Sequence, residues 1–225
     1  MAPGKSIACV IYDMDGLLLN TEPFYTRASQ VVADRYGKVF DWSVKSRMIG
    51  QRAADSARVF TESLQLPLKP DEYLEARREI LEALFPEAEP MPGAVRLTEH
   101  LHRSGILQGV ATSSDTRNYA LKTSRHGLWF RIFDCVVIGD DPAVKDGKPA
   151  PDIFLVAAER LGINPSACLV FEDSPVGVEA ARAAGMSVIA VPDPHMKPEV
   201  FQMADQVLGS LIEFDPAAWG LPPYG

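Results

Sequence analysis

The chain has 225 residues, of which 47% are hydrophobic and 23% charged, and its formal net charge is -8. This composition is typical of a soluble globular protein, and the length suits one large domain or a core with a smaller insert. No apolar stretch approaches the roughly 20 residues of a membrane helix, and neither a secretory signal nor a basic patch for nucleic acid is visible. We therefore expect no membrane or nucleic-acid partner and a cytoplasmic location.

The three cysteines are Cys9, Cys135 and Cys168, and each sits in an apolar, strand-like run. An odd number at wide spacing is not a disulfide framework. We expect buried, reduced thiols, as in cytoplasmic proteins.

The first predicted strand is the apolar run Ile7–Tyr12, which stops at Asp13-Met14-Asp15-Gly16. Strand residues alternate between faces, so Asp13 and Asp15 should project from the same side. Two such carboxylates repel each other unless a cation or a proton lies between them. Many turns carry two solvated acids, but the abrupt end of a fully apolar strand favours a functional site.

Residues 21–89 show helical patterns and no strand. The patterns cover Thr26–Tyr36, Val44–Ile49, Asp55–Leu66 and Asp71–Leu84, and prolines separate them. The sequence therefore predicts a helical domain of residues 21–89, inserted into a core domain of residues 1–20 and 90–225.

Strands and helices alternate after residue 90. Predicted strands are Ile106–Thr112, Phe133–Ile138, Cys168–Phe171 and Ser187–Val191, and predicted helices between them are Arg117–Arg125, Asp152–Leu161 and Val176–Ala184. Near-continuous apolar strands joined by helices indicate an α/β fold with a Rossmann-like parallel sheet.

Polar residues follow the second and third predicted strands, counting Ile7–Tyr12 as the first. Thr112 and Ser113 precede a helix, where hydroxyl and backbone N–H groups suit a phosphate, although taken alone they form an ordinary N-cap. Lys148, in Gly147-Lys148-Pro149, also precedes a helix. A lone loop lysine is usually solvated, but one held opposite several acids is expected to be a charge partner.

The fourth strand ends in Glu172 and Asp173. If the strand order is 3-2-1-4-5, the first and fourth strands are neighbours at the switch point where α/β sheets bind ligands. Asp13, Asp15, Glu172 and Asp173 would then converge. Carboxylates without clustered His or Cys predict Mg²⁺ as the cofactor.

These motifs, in this order, resemble the haloacid dehalogenase superfamily in its phosphatase branch with a helical cap after the first strand. The matching stretches are Asp13–Gly16, Val110–Ser113, Gly147–Pro149 and Glu172–Gly177. Shorter stretches, including Lys122–His126 and Phe40–Lys45, are similar to the group of pseudouridine-5'-phosphatases and plant-type glycerol-3-phosphatases.

The resemblance implies a role for each matching residue. Asp13 would be the nucleophile, and Asp15 would protonate the leaving alkoxide and then activate water. Thr112, Ser113 and Lys148 would hold the phosphoryl oxygens.

The resemblance also implies a metal site. The carboxylates of Asp13 and Asp173 and the backbone carbonyl of Asp15 would bind Mg²⁺, with Glu172 acting directly or through water. In the cap, Arg52 is a candidate substrate contact, although a solvated surface arginine is an equally good interpretation.

The expected substrate is a small phosphate ester, with glycerol 3-phosphate or pseudouridine 5'-phosphate favoured. The protein is expected to be a monomer. A dehalogenase would not need Asp15, because a halide leaves without a proton. A sugar phosphomutase stays open, although such enzymes carry a cap histidine near the place of Tyr25 here. A non-catalytic binding module would not need Asp13, Asp15, Lys148 and Asp173 together.

Overall fold

The computed structural model describes residues 6–48 and 53–225. The chain divides into two compact units. One unit contains the chain up to Asn20 and from Glu89 onward, and the other is Thr21–Ala88. The helical insert was expected over residues 21–89.

The larger unit is built on a parallel sheet of six strands. They are β1 (Cys9–Tyr12), β2 (Leu107–Ala111), β3 (Cys135–Val137), β4 (Cys168–Glu172), β5 (Ser187–Ala190) and β6 (Gln206–Val207), in the order β3-β2-β1-β4-β5-β6. The α/β class and the neighbouring positions of β1 and β4 are confirmed. The short strand β6 was not predicted, because two residues carry no readable periodicity.

The insert unit is helical. Its helices are α1 (Glu22–Asp34), α2 (Trp42–Met48), α3 (Ala53–Ser63) and α4 (Pro70–Leu84). It has its own apolar core, in which the Phe60 and Tyr73 rings stack at 4.0 Å between centroids. The buried Tyr73 hydroxyl shares a 2.8 Å hydrogen bond with Ser29. Helix α1 begins four residues before the predicted start, since Pro23 is tolerated in a first turn.

The described part of the larger unit contains five further helices. They are α5 (Ala94–Arg103), α6 (Thr116–Thr123), α7 (Gly127–Phe130), α8 (Asp152–Leu161) and α9 (Pro175–Ala183). Helix α8 ends at Gly162, whose positive φ of 68° closes the helix. Of all the helices in the described ranges, none is both long enough and apolar enough to cross a membrane.

Strands β1 and β4 form the centre of the core, with every residue buried. The Tyr12 hydroxyl donates to Gln108 Oε1 at 2.9 Å, so this buried polar pair is satisfied. Cys9 and Cys168 lie in register on these strands as buried free thiols, and Cys135 is partly buried. A rigid, apolar centre therefore fixes the strand ends where the acidic residues begin.

Candidate active site

Lys148 bridges two acids at the carboxyl ends of β1 and β4. Its Nζ lies 2.6 Å from Asp13 Oδ1 and 2.6 Å from Glu172 Oε1. It also donates to the backbone carbonyl of Ala111, at the end of β2, at 3.1 Å. The Lys148 side chain is only 5% exposed. The lysine therefore ties three strand ends together from one buried position.

Glu172 has partners on both carboxylate oxygens. Besides the bond from Lys148, its Oε2 accepts from the Ser174 backbone N–H at 2.9 Å and from the Ser174 hydroxyl at 3.0 Å. The first turn of α9 leaves space for this carboxylate only because residue 177 is glycine. A Cβ on Gly177 would lie 1.8 Å from Glu172 Oε1. The arrangement fixes Glu172 as a support for Lys148.

Asp15 forms a second cluster beside the first. Its Oδ1 accepts from Lys122 Nζ at 2.5 Å, and its Oδ2 accepts from the Ser114 hydroxyl at 2.8 Å. The Thr112 hydroxyl, fully buried, lies 3.4 Å from the same Oδ2. Ser113, predicted to bind phosphate, is exposed. Sequence reasoning assigned no role to Ser114 or Lys122, although Lys122 opens one of the stretches that resemble the family.

Burial dominates the electrostatics of Asp13. The pKa of Asp13 is raised to about 7, with burial as the largest cause; Lys148 opposes the shift, and the nearby Glu172 and Asp15 add to it. Burial acts to lower the pKa of Lys148, but Asp13 and Glu172 outweigh it, so this pKa is raised above its usual range. The carboxylates of Asp13, Asp15 and Glu172 contact two ammonium groups, those of Lys148 and Lys122. An excess of negative charge is therefore held in a largely desolvated place.

The donor chemistry fits a hard divalent cation. The acidic groups at these strand ends offer oxygen donors, and their excess negative charge favours another cation. Within residues 6–48 and 53–225, no group of three or more His, Cys, Asp or Glu side chains is arranged to hold a metal. Mg²⁺ commonly takes only one or two protein carboxylates and completes its shell with water and phosphate. The residues fit magnesium, and the predicted metal site stays a prediction.

Comparison with known proteins identifies the family. Residues 7–185 match the model of the haloacid dehalogenase-like hydrolases. The chain belongs to this family. It is 49% identical over 224 residues to (DL)-glycerol-3-phosphatase 2 of Arabidopsis thaliana, covering 97% of this chain and 93% of the relative. It is 44% identical over 223 residues to a protein of Drosophila melanogaster named as a pseudouridine-5'-phosphatase, covering 98% and 96% of the two chains.

A solved structure agrees with this assignment. CbbY of Rhodobacter sphaeroides, crystallised with phosphate, superposes with a TM-score of 0.73 at 27% identity, covering 92% of this chain and 96% of that one. Family recognition from the four motifs is confirmed, and so is the enzyme class, since the relatives carry phosphatase names. The candidate substrate contact Arg52 lies outside the described residues.

Proposed function

We propose that this protein is a phosphatase that hydrolyses a small phosphomonoester through an aspartyl-phosphate on Asp13. The observation that carries the proposal is the buried ion pair at the end of β1, in which Lys148 Nζ lies 2.6 Å from Asp13 Oδ1. A second aspartate, Asp15, follows two residues later. A carboxylate nucleophile divides one difficult displacement into two easier ones. The glycerol-3-phosphatase and pseudouridine-5'-phosphatase names of the relatives support this reaction class.

In the first step, an oxygen of Asp13 attacks phosphorus and the bond from phosphorus to the ester oxygen breaks. Asp15 donates a proton to the departing alkoxide. Lys148, with Thr112 and Ser113, would hold the phosphoryl oxygens and offset their charge. In the second step Asp15 accepts a proton from water, which attacks phosphorus and releases inorganic phosphate from Asp13.

Mg²⁺ would be held by the carboxylates of Asp13 and Asp173 and by the backbone carbonyl of Asp15, with Glu172 contributing directly or through water. When bound, it supplies positive charge to the transferring phosphoryl group. Asp173→Ala is expected to raise the Mg²⁺ concentration needed for half-maximal activity by at least about tenfold, because it removes a carboxylate donor. Titration of phosphate release with Mg²⁺ after chelation measures this shift.

Asp146→Ala is the control for that titration, since Asp146 is an exposed loop acid two residues before Lys148. It should leave the Mg²⁺ requirement unchanged. Full activity of the wild type after exhaustive chelation, with no metal found in the protein, would remove the magnesium proposal.

The acid role of Asp15 predicts a dependence on the leaving group. Asp15→Asn should slow hydrolysis of an alkyl phosphate by about 10²- to 10⁴-fold, the usual contribution of general acid catalysis. The phenolate that leaves an aryl phosphate with an acidic phenol needs little protonation, so the rate of the first step should fall much less for this ester. Rapid-quench measurement of the first turnover isolates this step. Equal losses on both esters would argue against the acid role.

The substrate class follows from relatives and charge. Glycerol 3-phosphate and pseudouridine 5'-phosphate are the two favoured compounds, and we propose that the helical unit acts as the cap that selects between them. In that unit Trp42 is 38% exposed and is a candidate to stack on a nucleoside base. The Tyr25 ring packs edge-on against Phe85, with 5.7 Å between the ring centroids, which favours a structural role for Tyr25.

Steady-state kinetics on both compounds, on hexose phosphates and on a phosphoprotein test the proposed substrate class. We expect the highest kcat/KM on one of the two favoured esters, with equal amounts of phosphate and alcohol released. Higher efficiency on the phosphoprotein than on every small ester would overturn the proposal. Interconversion of hexose phosphates without net phosphate release would show a phosphomutase instead.

A further inference from the structure

Lys122 is a buried cation outside the motifs that define the family. It lies on α6 with 1% of its side chain exposed. Its Nζ contacts Asp15 Oδ1 at 2.5 Å and the Ser114 hydroxyl at 2.8 Å. Burying an ammonium group is costly, and a buried ion pair is weak evidence of a gain in stability. The position of Lys122 therefore calls for a reason beyond stability.

The two lysines of the site serve different acids. Lys148 reaches Asp13 from the loop before α8, whereas Lys122 reaches Asp15 from α6. Asp13 and Asp15 are two residues apart in the chain, and each carboxylate contacts a different lysine at 2.6 Å or less. Because each aspartate has its own lysine, the carboxylates of Asp13 and Asp15 are held in different positions.

Three of the contacts around Asp15 form a triangle. Lys122 holds Oδ1, Ser114 holds Oδ2, and Lys122 and Ser114 contact each other. The Ser114 backbone N–H also donates to the Thr112 hydroxyl at 3.0 Å, which ties the triangle to the end of β2. A carboxylate held at both oxygens has one orientation, and proton transfer depends on such orientation.

We infer that Lys122 is a positioning residue that, with Ser114, fixes the carboxylate of Asp15 for proton transfer to and from the leaving group. The inference rests on the proposed phosphatase function and adds a residue that acts through Asp15 without touching the substrate. It predicts that loss of Lys122 reproduces, in weaker form, the leaving-group dependence expected for loss of Asp15.

The test is Lys122→Met, which removes the charge and keeps a side chain of similar length. We expect kcat on an alkyl phosphate to fall by roughly 10- to 100-fold, and kcat on an aryl phosphate with an acidic phenol to fall by less than about threefold. KM should change little for either ester. Arg125→Met is the matched control, because Arg125 is an exposed cation just past the end of α6. It should leave both rates near those of the wild type.

A double-mutant cycle separates positioning from general damage to the fold. In the Asp15→Asn background, adding Lys122→Met should lower kcat on the alkyl phosphate by less than about threefold, because residue 15 no longer transfers a proton. Equal losses on the two esters, or full additivity with Asp15→Asn, would overturn the inference. If Lys122→Met does not fold, Ser114→Ala must show the same leaving-group pattern, and its failure to do so would equally overturn it.

A crystal structure of Lys122→Met provides a readout that does not depend on activity. The Asp15 carboxylate should leave the position in which it accepts from the Ser114 hydroxyl, and an unmoved Asp15 would contradict the inference. Wild-type activity is measured first on both esters. Its absence would refute the proposed phosphatase, whereas an active wild type with an unselective Lys122→Met variant would refute only the role of Lys122.

Discussion

Asp13→Asn is expected to abolish phosphate release, with kcat at least about a thousandfold below the wild type, because an amide is a poor nucleophile. The fold should survive the change, since asparagine is isosteric with aspartate. Burial and neighbouring acids raise the pKa of Asp13, which means that the fold disfavours its charged form. A neutral amide removes that cost, so the thermal midpoint of unfolding should stay the same or rise.

Phosphate release and thermal unfolding of Asp13→Asn are measured together, with Asp146→Asn as the control for loss of an acid at the surface. A brief reaction of the wild type, quenched in acid, should show one phosphoryl group on a peptide that contains Asp13. A folded Asp13→Asn protein with near-normal turnover would refute the covalent mechanism. A phosphoryl group on another residue would do the same.

The sheet was predictable because its strands are buried on both faces. Such strands read as continuous apolar runs, and the abrupt change from Tyr12 to Asp13 and from Phe171 to Glu172 marks where they end. Topology then brings β1 and β4 together, since parallel strands joined by right-handed crossovers allow few orders. Local sequence located the acidic strand ends, and the assumed order 3-2-1-4-5, which the sheet confirms, placed them side by side.

The second lysine was not predictable in the same way. Lys122 is buried against Asp15, which lies 107 residues earlier in the chain, and such a tertiary contact leaves no local pattern. The same applies to Ser114, whose hydroxyl reaches Asp15 while its neighbour Ser113 is exposed. A β-strand that becomes a helical N-terminus changes its side-chain direction within one or two residues. Alternation from Thr112 could not decide which serine faces the site.

Lys148→Met is expected to reduce kcat by roughly 10²- to 10³-fold, the usual cost of losing one group that stabilises transition-state charge. It should also destabilise the metal-free protein, because Asp13 and Glu172 would stay buried without the ammonium group that both contact. Removing one partner of a buried ion pair typically costs about 3–5 kcal/mol. Lys145→Met is the control, since Lys145 is an exposed lysine three residues earlier in the same loop.

The loss of stability in Lys148→Met should depend on pH, in a direction set by Asp13. Burial raises the pKa of Asp13 in the folded protein, and Lys148 opposes that shift, so the variant raises this pKa further. A folded pKa above the unfolded value, about 3.9, means that the folded state binds more protons between the two values, and stability falls as pH rises through that range. The charge of Lys148 stays constant there, because its own pKa is raised. Urea unfolding without metal should therefore show a larger loss at pH 8 than at pH 5, where protonated Asp13 no longer needs a cation. The same loss at both pH values would refute this pH dependence and show that the charge of Asp13 does not contribute to the loss.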